Sequence, residues 1–200
     1  MDLSSYQGII FDMDGTLVDS MPAHINAWQQ TCADFELPFE RDWFYAMGGS
    51  PTINTAVALL KKYDIDADPQ LLVTSKLRYF DEIKHKGDII PATFSLLRQQ
   101  KALHKPIAIG TGCYRHHALE ILSTSGILPL VDVVVTANDV QRHKPFPDTF
   151  LEAARLLGVP VSHCVVFEDT ELGCQAAHAA SMDCYLVRDG IISEFRAFKR

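Results

Sequence analysis

The chain has 200 residues, 48% hydrophobic and 22% charged, enough to bury a core and to carry one domain with a sizeable insertion. Its net charge of -7 argues against nucleic acid or an anionic membrane surface as the main partner, because both are bound by surplus Lys and Arg, and the basic runs reach only Lys61-Lys62 and Lys199-Arg200. No apolar stretch is long enough to span a bilayer, Met1-Asp2-Leu3-Ser4-Ser5 lacks a leader's pattern, and the five cysteines are scattered without a CxxC pair, so a cytoplasmic protein with free thiols is expected, with neither a disulfide framework nor a cysteine zinc site.

In chain order, residues 7–12 read as a short buried strand that runs straight into Asp12 and Asp14. Residues i and i+2 of a strand point to one side, so the two carboxylates would crowd together unless something offset their repulsion. From 20 to 89 the periodicity is helical, with Trp28, Cys32 and Phe35 at three- and four-residue spacing. Ser50-Pro51 and Asp68-Pro69 each place a capping side chain before a proline, which marks two helix starts. No strand is expected in this stretch, which reads as a separate helical subdomain. The chain then alternates: helix 93–100, strand 107–110, helix 115–125, strand 131–135, helix 147–157 stopped by Gly158, strand 164–167, helix 172–180 and strand 184–187. Such alternation predicts an α/β fold with a doubly wound parallel sheet, built from 1–19 and 90–200, with the helices of 20–89 inserted.

Ligands of doubly wound sheets sit beyond the carboxyl ends of the strands. The polar residues that follow the predicted strands are Asp12 and Asp14, then Thr111, then Lys144, then Glu168 and Asp169. Taken singly, each has an ordinary reading: a turn or cap acid for either Asp, a turn residue for Thr111 between two glycines, loop charge for Lys144, and a helix cap for Glu168-Asp169. Their joint arrival at one sheet edge points to chemistry. Clustered carboxylates call for a hard divalent cation, and Mg²⁺ takes oxygen ligands while keeping water and binding substrate phosphate. Asp12 can then attack phosphorus as a nucleophile and Asp14 can serve as general acid and base. Lys144 would spread the charge of the transferring group, while the Thr111 hydroxyl and backbone N–H groups near Met13 and Gly112 hold its oxygens. Gly15 lets the chain turn sharply after the acids.

The run Asp12-Met13-Asp14-Gly15-Thr16-Leu17-Val18-Asp19-Ser20 resembles the first motif of the haloacid dehalogenase superfamily; Thr111 fits its second motif, Lys144-Pro145 its third and Glu168-Asp169 its fourth. The resemblance implies a Rossmann-like core with an all-helical cap inserted after the first strand. It implies Asp12 as nucleophile, Asp14 as acid/base, and Mg²⁺ held by Asp12, the Asp14 backbone carbonyl, Asp169 and Glu168. The second Asp points to phosphoryl transfer instead of dehalogenation.

Gly48-Gly49-Ser50-Pro51-Thr52 resembles the specificity loop of the sugar-phosphate members, which makes Gly49 and Ser50 candidate substrate contacts with Gly15 and Gly112; a helix-helix turn capped by Ser explains the same residues. A histidine at the place of His24 recurs in the beta-phosphoglucomutase and fructose-1-phosphatase branches, near the acid/base Asp, and His24 shares a helix face with Trp28. Asn54, Lys76 and Arg78 read as solvated helix surface. Beta-phosphoglucomutases carry a basic residue after the Ser of this loop where Pro51 stands here, which favours hydrolysis. The implied function is a Mg²⁺-dependent phosphatase of small sugar phosphates of the fructose-1-phosphate or 6-phosphogluconate type, acting as a monomer or weak dimer on a small-molecule partner. A beta-phosphoglucomutase-like mutase is the alternative within the family, and a receiver-like phospho-switch the alternative from another class. Ser181 stands where the family usually has Gly; in a left-handed conformation it would cost about 1 kcal/mol.

Overall fold

The computed structural model describes residues 1–199; Arg200, the last residue of the expected core, lies outside them. Its six strands are β1 (Gly8–Phe11), β2 (Ile107–Gly110), β3 (Val133–Val135), β4 (Cys164–Glu168), β5 (Asp183–Arg188) and β6 (Ile191–Arg196), and they form one sheet in the order β3-β2-β1-β4-β5-β6. All neighbours are parallel except β5 and β6. The order reverses at β1, whose strand passes outward to β2 on one side and to β4 on the other, so the crevice of a doubly wound Rossmann-like sheet opens at the carboxyl end of β1.

Every residue of β1 is buried, as a central parallel strand covered on both faces requires. Ile9 and Phe11 join one core layer with Leu97 of α5 (Pro91–Ala102) and Ile121 and Leu122 of α6 (Arg115–Thr124). Ile10, pointing the other way, joins a second layer with Phe150 and Ala153 of α7 (Asp148–Leu157) and Cys174 and Ala176 of α8 (Glu171–Ala179). Each fully buried Ile or Phe contributes about 1.5–3 kcal/mol, so the alternation along β1 fixes its register between the layers.

Between β1 and α5 lie α1 (Met21–Asp34), α2 (Arg41–Ala46), α3 (Thr52–Lys62) and α4 (Pro69–Glu82), which bury a core of their own: Ile25, Trp28, Phe44, Leu59, Leu72 and Val73 are among its members. The chain leaves and re-enters the sheet unit through two segments that run side by side. Asp19 N–H donates to the Asp88 carbonyl at 2.8 Å and Ile90 N–H to Leu17 at 2.9 Å. Gly87, at φ 149°, lies so near this pairing that a Cβ would sit 2.2 Å from the Asp19 carbonyl oxygen.

Four local findings refine the expected elements. Asp68 caps α4 as expected, its carboxylate accepting from Gln70 N–H at 2.9 Å, but the residue before α3 is Pro51, and Ser50 does not cap it. The helix after β4 is capped by the Thr170 hydroxyl, which accepts from Gly173 N–H at 3.0 Å, so capping does not account for Glu168 and Asp169. Ser181 does adopt the left-handed conformation, at φ 61°, and carries the expected cost. Strand β6 is an addition: Asp189 and Gly190 both have positive φ and fold it back on β5 through a two-residue turn. The cysteines of the described residues are free thiols, with Cys113 half-buried and the others buried. No helix of the described residues is long and apolar enough to cross a membrane.

Candidate active site

Asp12 follows the last residue of β1, Thr111 the last of β2, and Glu168 ends β4, so three adjacent strands deliver their polar residues to one edge. Lys144 reaches the same place from the loop between β3 and α7. Its ammonium donates to Asp12 Oδ1 and to Glu168 Oε1, both at 2.6 Å, with none of the lysine side chain exposed. Burial alone would discharge this lysine; the charges of Asp12 and Glu168 outweigh it and hold the amine protonated, its pKa above the ordinary value.

The carboxylates outnumber the cation. Glu168 spends its second oxygen on Thr170, accepting from the backbone N–H at 2.7 Å and from the hydroxyl at 2.9 Å. It is packed so closely that a Cβ on Gly173 would fall 1.9 Å from its carboxyl group. Asp12 Oδ2 is buried and has no hydrogen-bond partner. Burial pushes the Asp12 carboxyl up to about 7; Lys144 pulls it down, and the charges of Glu168 and Asp14 raise it again. Asp169 is also held well above the ordinary range, by burial first and then by Glu168 and Asp12.

Ligand oxygens of Asp12, Glu168 and Asp169 lie within 4.8 Å of one another. An all-oxygen donor set, an orphaned buried carboxylate oxygen and two carboxyls that resist ionisation are the features a hard divalent cation would relieve, so these residues fit Mg²⁺. Gly15, at φ 80°, makes room for the third of them, since a Cβ there would sit 2.2 Å from Asp169 Oδ2.

The Asp14 side chain turns elsewhere. It accepts hydrogen bonds from the Ser20 hydroxyl and, at 3.3 Å, from the Thr111 hydroxyl, and lies 3.3 Å from His24 Nε2. Burial opposes its ionisation, but the hydrogen bonds from His24 and Ser20 and the charge of Lys76 bring its pKa below the ordinary value. Burial and then Lys76 lower the pKa of His24, which is neutral at pH 7. Lys76 Nζ lies 2.9 Å from His24 Nδ1. An ammonium only donates, so Nδ1 accepts and the imidazole proton sits on Nε2, aimed at Asp14. A chain Lys76–His24–Asp14 thus links α4 to the end of β1.

Lys76 corrects the reading of the sequence: it is not solvated surface but 1% exposed, with its pKa lowered by burial to about 8 and its ammonium 4.3 Å from the Phe80 ring centre. Asn54 and Arg78 are exposed as expected. The signal for Lys76 is present in the sequence, because Leu72, Val73 and Phe80 at three- and four-residue spacing put it on the buried stripe of α4. Ser20 and Thr170, which hold Asp14 and Glu168, also went unassigned.

Gly49 and Ser50 lie over this edge. A Cβ on Gly112 would meet the Gly49 carbonyl oxygen at 2.3 Å, and a Cβ on Gly49 would be 3.6 Å from Glu168 Oε1. The 48–50 loop is therefore shut against the β2 loop. The cavity beneath, lined by Asp14, His24, Trp28, Ser50, Lys76 and Tyr114 among others, has a volume of about 50 Å³. That is space for a few waters, far below the roughly 300 Å³ of a typical small-ligand pocket.

Residues 9–187 match the family model for haloacid dehalogenase-like hydrolases. The chain is 38% identical over 186 residues to fructose-1-phosphate phosphatase YqaB of Escherichia coli, covering 92% of this chain and 97% of that protein. It is 30% identical over 185 residues to beta-phosphoglucomutase of Bacillus subtilis, covering 88% and 80%. Among solved structures, a putative beta-phosphoglucomutase from Bacteroides vulgatus superposes with a TM-score of 0.82 at 25% identity, covering 94% of this chain and 78% of that one.

Proposed function

Because the chain belongs to the haloacid dehalogenase-like hydrolase family, we propose that it is a phosphatase of small phosphorylated sugars that works through Asp12. The observation that carries this reading is the geometry at Asp12: one carboxylate oxygen tied to Lys144, the other buried without a partner, and Asp14 held separately by Ser20, His24 and Thr111. Asp12 attacks phosphorus and the ester oxygen leaves, taking a proton from Asp14, which carries one in the substrate complex although its pKa is lowered in the free protein. A water then gives a proton to Asp14 and attacks the Asp12 phosphate, which frees inorganic phosphate, restores the Asp12 carboxylate and returns Asp14 to its protonated form. Lys144 fixes the attacking carboxylate and compensates charge on the phosphoryl oxygens, to which Thr111 and the Gly112 backbone donate. Asp12, Glu168, Asp169 and the Asp14 carbonyl would hold Mg²⁺, which when bound neutralises charge on the phosphoryl group.

The helices α1–α4 act as a cap. The cavity of about 50 Å³ over Asp14 is too small for a sugar phosphate, so on that side the 48–50 loop lifts from Gly112 for substrate to enter and returns for reaction. Gly15, Gly49, Ser50, Gly112 and His24 are then the substrate contacts. Pro51 offers no charge next to Ser50, which favours water over a second phosphosugar as acceptor. Similarity to a fructose-1-phosphate phosphatase makes that sugar phosphate, or one of the 6-phosphogluconate type, the first candidate. The likeness to a beta-phosphoglucomutase keeps a mutase as the second reading, with buried Lys76, which lines the cavity, as a cap cation that could meet a distal phosphate. Membership of a hydrolase family sets aside the receiver-like switch.

The test is a phosphate-release screen over phosphorylated sugars with Mg²⁺ and with chelator. Hydrolysis of several sugar phosphates, lost on chelation, is expected. Formation of a positional isomer without free phosphate would replace the phosphatase by the mutase.

A further inference from the structure

We propose that Asp81, His116 and His117 form a second metal site, selective for a transition-metal ion of the Zn²⁺ class, which ties the last turn of α4 to the first turn of α6. One ligand atom from each residue lies within 4.8 Å of the others. Two imidazole nitrogens and one carboxylate oxygen suit Zn²⁺, with a fourth position left for water, whereas Mg²⁺ prefers oxygen donors. The site is thus chemically distinct from the oxygen cluster at Asp12.

Three observations support it. The His117 ring is 2% exposed and packs edge-on against Phe80, centres 5.1 Å apart at 79°, so its orientation is fixed. Its Nε2 faces Asp81 Oδ1 at 2.5 Å, while the His116 ring lies against it at 3.7 Å between centres. Asp81 and His116 are exposed, which gives an ion a path from solvent. Without an ion His117 and Asp81 share a hydrogen bond, which a bound ion would replace.

The position gives the site a consequence. Asp81 lies on the same helix as Lys76, and His117 on the helix that follows the Thr111-Gly112-Cys113 loop; both helices face the cavity over Asp14, which His117 also lines. An ion shared by α4 and α6 cross-links the helical insertion to the sheet unit in the closed arrangement, so it resists the opening that substrate entry requires.

Titration of the protein with ZnCl₂ by calorimetry, in saturating Mg²⁺, and with CoCl₂ by visible absorption, tests the site without reference to any phosphatase activity. One equivalent is expected to bind, with the d–d bands of nitrogen and oxygen ligation, and His116→Ala and Asp81→Asn should each weaken it about tenfold or more. Phosphate release by the wild type should slow with Zn²⁺, while His116→Ala, as fast as wild type without the ion, should resist. Absence of binding to the wild type, or equal affinity in both variants, overturns the site; equal inhibition of wild type and His116→Ala overturns the cross-link.

Discussion

Replacing Lys144 by Met keeps the packing of the side-chain stem and deletes the charge between Asp12 and Glu168. Both carboxylates, each 2.6 Å from the ammonium and almost wholly buried, then lack their cation. Breaking a buried ion pair by removing one partner costs about 3–5 kcal/mol. At this chain length 1 kcal/mol moves Tm by about 2–4 °C, so a fall of about 6–20 °C is expected at pH 8 without metal. The carboxyls can escape the penalty by taking protons, and Asp12 sits at about 7 even with Lys144 present. The loss should therefore shrink as pH falls from 8 to 5 and be partly recovered by Mg²⁺, a replacement positive charge. Thermal melts of both proteins from pH 5 to 8, in chelator and in Mg²⁺, measure this. A fall of less than about 2 °C, or one that does not change with pH, would refute the reasoning.

The wild type has its own pH signature. Asp12, raised to about 7, and Asp169, raised with it, bind protons in the folded state that the unfolded chain has released. Stability of the metal-free protein should be full below about pH 4 with respect to these groups and fall as pH rises to 7, by an order of 4 kcal/mol for Asp12, while Mg²⁺ flattens the decline in urea unfolding. Asp14→Asn should lower kcat by about 10²–10⁴-fold on sugar phosphates, and by less on an aryl phosphate whose leaving oxygen needs no proton, as steady-state assays of both substrates would reveal. Gly112→Ala places a methyl 2.3 Å from the Gly49 carbonyl oxygen, so the 48–50 loop cannot shut; turnover should drop about 10- to 100-fold with Tm little changed, and protease sensitivity at the loop should increase.

How much of this could be read in the sequence depends on what each residue answers to. Strand β1 was legible because apolar burial on both faces leaves an uninterrupted run, and its end was legible because two acids cannot continue it. The parallel order followed from alternation. Strand β6 was not read, since Ile191–Arg196 is mostly exposed and lacks clean alternation; the signal was the Asp189-Gly190 turn before it. The acidic edge was visible because strand ends gather it whatever the side chains do. Lys76 was missed for the opposite reason. Its partner His24 lies 52 residues earlier, and only the packing of α1 against α4 brings them to 2.9 Å. Glu168 reads from the sequence as a helix cap or a metal ligand, and its fixation by Thr170, Lys144 and the bare backbone of Gly173 emerges only from the fold.

Rapid mixing of the protein with a ³²P-labelled sugar phosphate, acid quench within one turnover and mapping of the labelled peptide address the nucleophile itself. The label should appear on the peptide that carries Asp12, be stable in acid and labile in base as an acyl phosphate is, and be absent from a folded, inactive Asp12→Asn. Label on another residue, or phosphate released by Asp12→Asn at a rate near wild type, would contradict the account.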